Sequence, residues 1–172
     1  RIDHSAEFRF NTYNNNGLLF ENLGKISTFY YDIQKENNSK TKHSEIRPVF
    51  SSTVSYPLIK FNKNRNKQFL KPKLQINYSP NKDLELDLNQ DSIEIDIDNT
   101  NLFSINRFSG KDRQEQGLWI NSGIKYENHS ITGRSYGTEI GQIFRNKRSK
   151  QFSDYSGLNG KNSDLLISSF LN

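Results

Sequence analysis

Apolar and polar residues alternate along much of this chain, which is the period expected of strands with two unlike faces. The alternation predicts seven strands. The first, 5–13, sets Ala6, Phe8 and Phe10 against Glu7, Arg9 and Asn11. In the second, 18–33, apolar residues fall on both parities: Leu18, Phe20, Ile26 and Tyr30 on one, Leu19, Leu23, Phe29 and Ile33 on the other. That mixture predicts a bulge near Asn22-Leu23-Gly24, which would switch the faces. The third strand, 43–59, lines up Ile46, Pro48, Phe50, Val54 and Tyr56; its two prolines require bulges or an unpaired overhang. The fourth, 67–79, is the most regular, with Leu70, Pro72, Leu74, Ile76 and Tyr78 opposing Phe69, Lys71, Lys73, Gln75 and Asn77. Strands at 117–127, at 130–145 and from 163 onward complete the set.

The connections alternate in length. Short, Asn-rich turns are expected at Asn14, Asn62 and Asn128, since Asn and Gly accept positive φ. Longer polar loops are expected at Gln34, at about 80–116 and at about 146–161. Most predicted strands run about 10–16 residues, against about 5–6 for a typical soluble strand. Long strands joined alternately by short turns and long loops are the pattern of outer-membrane barrels, whose turns face the periplasm and whose loops face outward. The expected fold is therefore all-β, an antiparallel meander of about seven long strands. An odd, unclosed set cannot bury its edges in lipid, so it is expected to be a partial segment of a large transmembrane barrel.

Composition agrees with this picture. Hydrophobic residues make up 32% of the 172 residues, yet aromatics reach 12%, and Asn occurs 22 times. A barrel with a wet interior needs apolar side chains on its lipid face only, so a small apolar fraction is compatible with it; the aromatic content argues against disorder. No run approaches 18 apolar residues, which excludes a membrane-spanning helix but not a barrel. The absence of Cys excludes disulfides and thiolate metal sites. The start at Arg1 suggests an internal fragment or a mature portion. A formal net charge of +5 permits anionic partners, but no nucleic-acid motif accompanies it.

Ordered blocks of residues then carry a resemblance. Leu70, Pro72, Leu74, Tyr78 and Pro80 lead into a loop containing Leu102, Phe103, Arg107, Phe108, Ser109, Gly110, Asp112 and Arg113. Ile140, Gly141 and Gln142 follow, then Ser156, Gly157, Leu158, Ser163 and Asp164. In this order the blocks resemble the LptD family, also called organic solvent tolerance proteins. The resemblance covers about residues 69–166 and implies that residues 1–172 are a fragment of the C-terminal barrel domain. It further implies a place in the cell outer membrane of a Gram-negative bacterium and a role in transporting lipopolysaccharide and inserting it into the outer leaflet. The implied partners are an LptE-like plug lipoprotein, periplasmic Lpt bridge components, lipopolysaccharide and outer-membrane lipids. No cofactor and no enzymatic activity are implied. The alternative is a soluble or cell-surface β-rich binding module.

Several residues are candidates for chemistry. Arg107, Phe108, Ser109, Gly110, Asp112 and Arg113 form either a structural clasp for the long loop or a contact for lipid phosphate, which suits the planar donor fork of Arg. Arg47, Lys67, Lys71 and Lys73 are expected to face the lumen, either wetting its wall or guiding an anionic lipid. Asp83, Glu85, Asp87, Asp91, Glu94, Asp96 and Asp98 are expected to form a solvated hairpin; a divalent-cation site is the competing reading. Glu127, His129 and Ser130 share one turn, where neighbours rarely converge as a hydrolytic relay requires. Gly133, Gly137 and Gly141 share one face of the sixth strand and suggest close approach of another element or bulges.

Overall fold

The computed structural model describes residues 1–34, 40–62, 66–80, 89 and 91–172, with backbone only at 33, 34, 40 and 41. Among these residues there is no helix. Eight antiparallel strands form one open sheet, a partial barrel segment. They are β1 (Ile2–Tyr13), β2 (Leu19–Gln34), β3 (Lys40–Ser55), β4 (Leu58–Phe61), β5 (Lys67–Ser79), β6 (Gly117–His129), β7 (Ser135–Arg145) and β8 (Leu166–Leu171). The spatial order is β1-β2-β3-β5-β6-β7-β8, with β4 added against the first residues of β5.

Pairing is staggered. The row that begins one residue from the turn end of β1, at Thr12, runs through Phe20, Val54, Leu74 and Ser122 to Gln142, three residues from the loop end of β7. Strands that climb in this way are tilted, as closure into a barrel requires. The 13 residues of β5 extend about 43 Å at ~3.3 Å each, or about 33 Å across at a tilt of ~40°. That matches a hydrocarbon layer of roughly 30 Å.

The two faces differ as the alternation predicts. One presents Phe8, Phe10, Ile26, Phe50, Ile76, Ile124, Ile140 and Ile167, all exposed. On β5, β6 and β7 it carries no charged side chain. Tyr30 and Tyr78 lie toward its loop end and Tyr56, Tyr126 and Tyr136 toward its turn end, the placement of interfacial aromatic girdles. The other face is polar and carries the long loops. The connections β1–β2, β4–β5 and β6–β7, of five residues each, lie on one rim, and the two long loops, β5–β6 and β7–β8, on the opposite one. The β2–β3 connection, expected to be longer, also spans only five positions, because β2 and β3 extend to Gln34 and Lys40.

Several local expectations are corrected. β2 has no bulge, because its register with β1 and β3 is unbroken from Leu19 to Tyr30. Leu23 and Phe29 simply sit on the inner face, where Leu23 is half-buried and Phe29 is buried beside Arg47 and Tyr31. The predicted third strand breaks at Tyr56-Pro57, which removes a ladder donor, and its remainder is β4. β6 continues to His129; the turn lies at 130–134, closed by the Ser130 amide donating to Arg134 O, and Gly133 takes a φ of 86°. β8 starts at Leu166 rather than Ser163, because Ser163 and Asp164 are bonded elsewhere. The β2–β3 connection at 35–39, the turn residues 63–65 and Asp83, Glu85 and Asp87 lie outside the described residues.

Candidate functional site: a plug on the inner wall

The loop after β5 returns across the inner face as a hairpin. The Ile95 amide donates to Arg107 O, and the Ser109 amide to Ile93 O. Asp98 caps the bend, accepting from the Thr100 and Asn101 amides and the Thr100 hydroxyl. Those bonds, led by the one from the Thr100 side chain, hold its carboxyl below the usual range. Apolar residues anchor this hairpin and the β7–β8 loop. Leu102, Phe108, Phe152 and Leu158 pack on Trp119 of β6 and Ile143 of β7, with Ile97, Phe103 and Leu166 at the edge. Phe108 and Phe152 stack with ring centres 4.8 Å apart. Burial of such side chains contributes roughly 1.5–3 kcal/mol each, which holds both loops against the wall at this point.

The glycines of this region mark close approach. At Gly141 a Cβ would run into Leu102, and at Gly123 it would crowd Leu102 and Phe103. At Gly137 it would strike the ring of Phe170. The partners of these two β7 glycines are therefore the chain's own loop and its own β8.

A charged triad lies within the anchor. Arg107 and Glu115 are both 0% exposed, and Arg107 Nη1 donates to Glu115 Oε2 at 2.7 Å. Arg107 Nη2 donates to Leu102 O at 2.8 Å. The other carboxylate oxygen of Glu115 accepts from Arg145, whose Nε donates to Leu158 O at 3.2 Å. Burial lowers the Arg107 pKa in spite of Glu115. One carboxylate thus ties together the long loop, the second loop and the end of β7.

The segment between Arg107 and Glu115 reaches the opposite side of the sheet. Asp91 accepts from the backbone amides of Lys111 and Asp112, each at 3.0 Å, from Ser92 and from Arg1. Burial pushes the Asp91 carboxyl up, but these bonds outweigh it and hold the group well below the usual range. Gly110 takes a φ of 71°, and a Cβ there would run into Asp91. Asp112 accepts from Arg1 at 2.6 Å and from the Tyr31 hydroxyl at 3.2 Å. Lys111 Nζ pairs with Asp3 at 2.6 Å. The Arg113 amide donates to Ser92 Oγ at 2.8 Å. Glu94 accepts from the Ser153 amide and hydroxyl, joining the two loops.

A family model described as LptD, LPS transport system D, matches residues 1–169. The chain belongs to the LptD family. It is a member of an outer-membrane family that transports and assembles lipopolysaccharide. No curated protein gives a significant match.

The LptD motif residues fall into three places. Arg107, Phe108, Ser109, Gly110, Asp112 and Arg113 build the hairpin, but Arg107 pairs with Glu115 and Asp112 with Arg1, not with each other. Pro72 and Tyr78 lie on the apolar face. The third and fourth blocks meet at the start of β8. Gln142 Nε2 donates to Ser163 O at 2.7 Å, Ser163 Oγ accepts from the Ile143 amide, and the Asp164 amide donates to Gly157 O. The side chain of Asp164 occupies the space a Cβ on Gly157 would need, and Ser156 Oγ caps the Leu158 amide.

The four basic candidates separate. Arg47 is buried, paired with Glu45 at 2.6 Å and donating to Lys111 O at 2.7 Å. Lys73 lies over the Phe103 ring at 4.4 Å. Lys67 and Lys71 stand exposed on the turn-side half of the inner wall. Among the acidic residues, Asp91, Glu94 and Asp98 hold loop backbone as described above, and no cluster suited to a metal occurs among the described residues. On the Glu127 turn, His129 meets Glu127 at 3.2 Å, but Ser130 bonds Thr132, so no relay forms. The alternation did not single out Glu115, Arg145 or Trp119. Trp119 and Arg145 share the inward parity of β6 and β7, which was the available signal; Glu115 lies in the loop, where alternation carries none.

Proposed function

We propose that this chain is a stretch of barrel wall, with its lumenal plug, in the outer-membrane translocon that delivers lipopolysaccharide to the outer leaflet. The apolar face carries the reading: it is exposed, uncharged across three strands and edged by tyrosines, while the polar face holds the packed loops. A soluble sheet would turn its apolar face inward. The turn rim faces the periplasm and the loop rim faces outward. The two loops seal the lumen near the outer rim, and the motif from Arg107 to Arg113 serves as their clasp.

Below the plug, the inner wall bearing Lys67, Lys71 and Phe69 remains open. It suits an LptE-like lipoprotein and the passage of anionic lipopolysaccharide received from the periplasmic bridge. Depletion of the full-length parent should stop newly made lipopolysaccharide from reaching the cell surface, and the protein should partition with outer membranes. Recovery in soluble fractions only would defeat the proposal. Asp112→Ala or Arg113→Ala should raise sensitivity to large antibiotics and detergents; wild-type resistance in both would remove the sealing role.

A further inference from the structure

The plug is attached to the wall in two unlike ways. On β6–β8 the contact is the apolar core with its buried triad, and among the described residues no member of that core comes from β1, β2 or β3. On β1–β3 the contact is polar: Arg1 to Asp91 and Asp112, Lys111 to Asp3, Tyr31 to Asp112, and Arg47 to Lys111 O. Arg1–Asp91 and Lys111–Asp3 are partly exposed, and ion pairs with access to water are weak and screened by salt; Asp112, Tyr31 and Arg47 are buried.

Cavities lie where the polar contacts are. One of about 120 Å³ lies between Ser5, Ser27 and Phe29 of the wall and Lys111 of the loop. Another, of about 210 Å³, lies toward the second loop, beside Arg47, Lys150 and Gln151. Arg113 and Gln114 line both, so residues 110–114 are the partition between them. The partition is held at each end by Arg107 and Glu115, which are joined to each other and fully buried.

We propose that residues 110–114 form a tongue that lifts from β1–β3 while Arg107 and Glu115 stay fixed. Lifting joins the two cavities into one polar passage along the inner face of β1–β3. The tongue is thus a one-sided gate, and the apolar anchor on β6–β8 is its immobile base. Lifting also exchanges the bonds of Gln114 to Ser79 of β5 and to Gln151 of the second loop, while Asp91 and Ser92, which accept from the amides of 111–113, move with the tongue; none of this depends on which lipid is carried.

The chain has no Cys, so a thiol introduced into it has no neighbour of its own kind. Ser27→Cys places a thiol in the inner cavity, and Ser156→Cys places one in the second loop against the base. The full-length parent, in outer-membrane vesicles and again in detergent, is treated with a membrane-impermeant maleimide, with the unsubstituted parent as the blank. Labelling of the S27C variant should rise about tenfold between low salt and ~1 M salt, where the screening length is ~3 Å, and similarly on adding Arg1→Gln or Asp112→Asn. The S156C variant should label slowly throughout. Equal acceleration in both variants would mean that the whole plug loosens. An S27C rate indifferent to salt and to both charge substitutions would mean that there is no gate. Either result overturns the proposal. The salt series on S27C alone holds even where the charge variants fail to assemble. The contrast appearing in detergent but not in vesicles would keep the tongue and count against the proposed placement in the membrane.

Discussion

Glu115 sits between two arginines in a site that water does not reach. Removing the anion leaves two buried guanidinium groups facing each other, and breaking a buried pair in this way costs about 3–5 kcal/mol. Glu115→Gln should therefore speed hydrogen exchange of residues 102–115 by two orders of magnitude or more, while strand amides distant from the plug exchange as before. Unchanged exchange would mean that the triad contributes nothing to the anchor. Gly110 has a different role. Its left-handed backbone and the approach of Asp91 exclude a side chain, so Gly110→Ala should cost roughly 1–3 kcal/mol of loop stability, seen as faster proteolysis between 91 and 114.

At the scale of elements, the plug is a hairpin tied to a second loop and laid on three wall strands. Its dependence on pH follows from Asp91. A carboxyl held below its ordinary value of about 3.9 stabilises the folded loop above that pH. The stabilisation is lost as pH falls through the lower, folded-state value. Exchange protection of residues 110–113, corrected for intrinsic rates, should be flat from about pH 7 to 5 and should decline below about pH 4. Asp91→Asn should weaken protection at neutral pH and remove the step. A step centred near neutrality would show that another group controls the loop.

For the whole molecule, the decisive property is which face meets hydrocarbon. Ile124 lies midway along β6 on the apolar face, and Lys125 follows on the inner one, paired with Glu127. A lysine on the lipid side near mid-membrane costs about 2–4 kcal/mol. Ile124→Lys should reduce the heat-modifiable, folded form of the parent in outer membranes, whereas Lys125→Gln should leave it near wild type. The reverse ranking would indicate a sheet with a dry interior.

Alternation alone determined that the chain is an antiparallel meander, which residues share a face, and where the two longest loops fall, because a period of two is a local property of a pleated chain. It did not determine the ends. Pro57, the turn at 130–134 and the late start of β8 depend on hydrogen bonds to residues distant in sequence. The false bulge in β2 has the same origin: Leu23 and Phe29 look misplaced until the inner face is seen to hold apolar side chains too, with Phe29 buried beside Arg47 of the next strand. The motif blocks marked Arg107, Gly110 and Asp112 but not their partners. Glu115, Arg145 and Arg1 reach them only through tertiary packing, since the periodicity of a strand carries no trace of which loop residue will meet it. Which strands the plug grips by apolar contact, and which by charge, was decided by the fold alone.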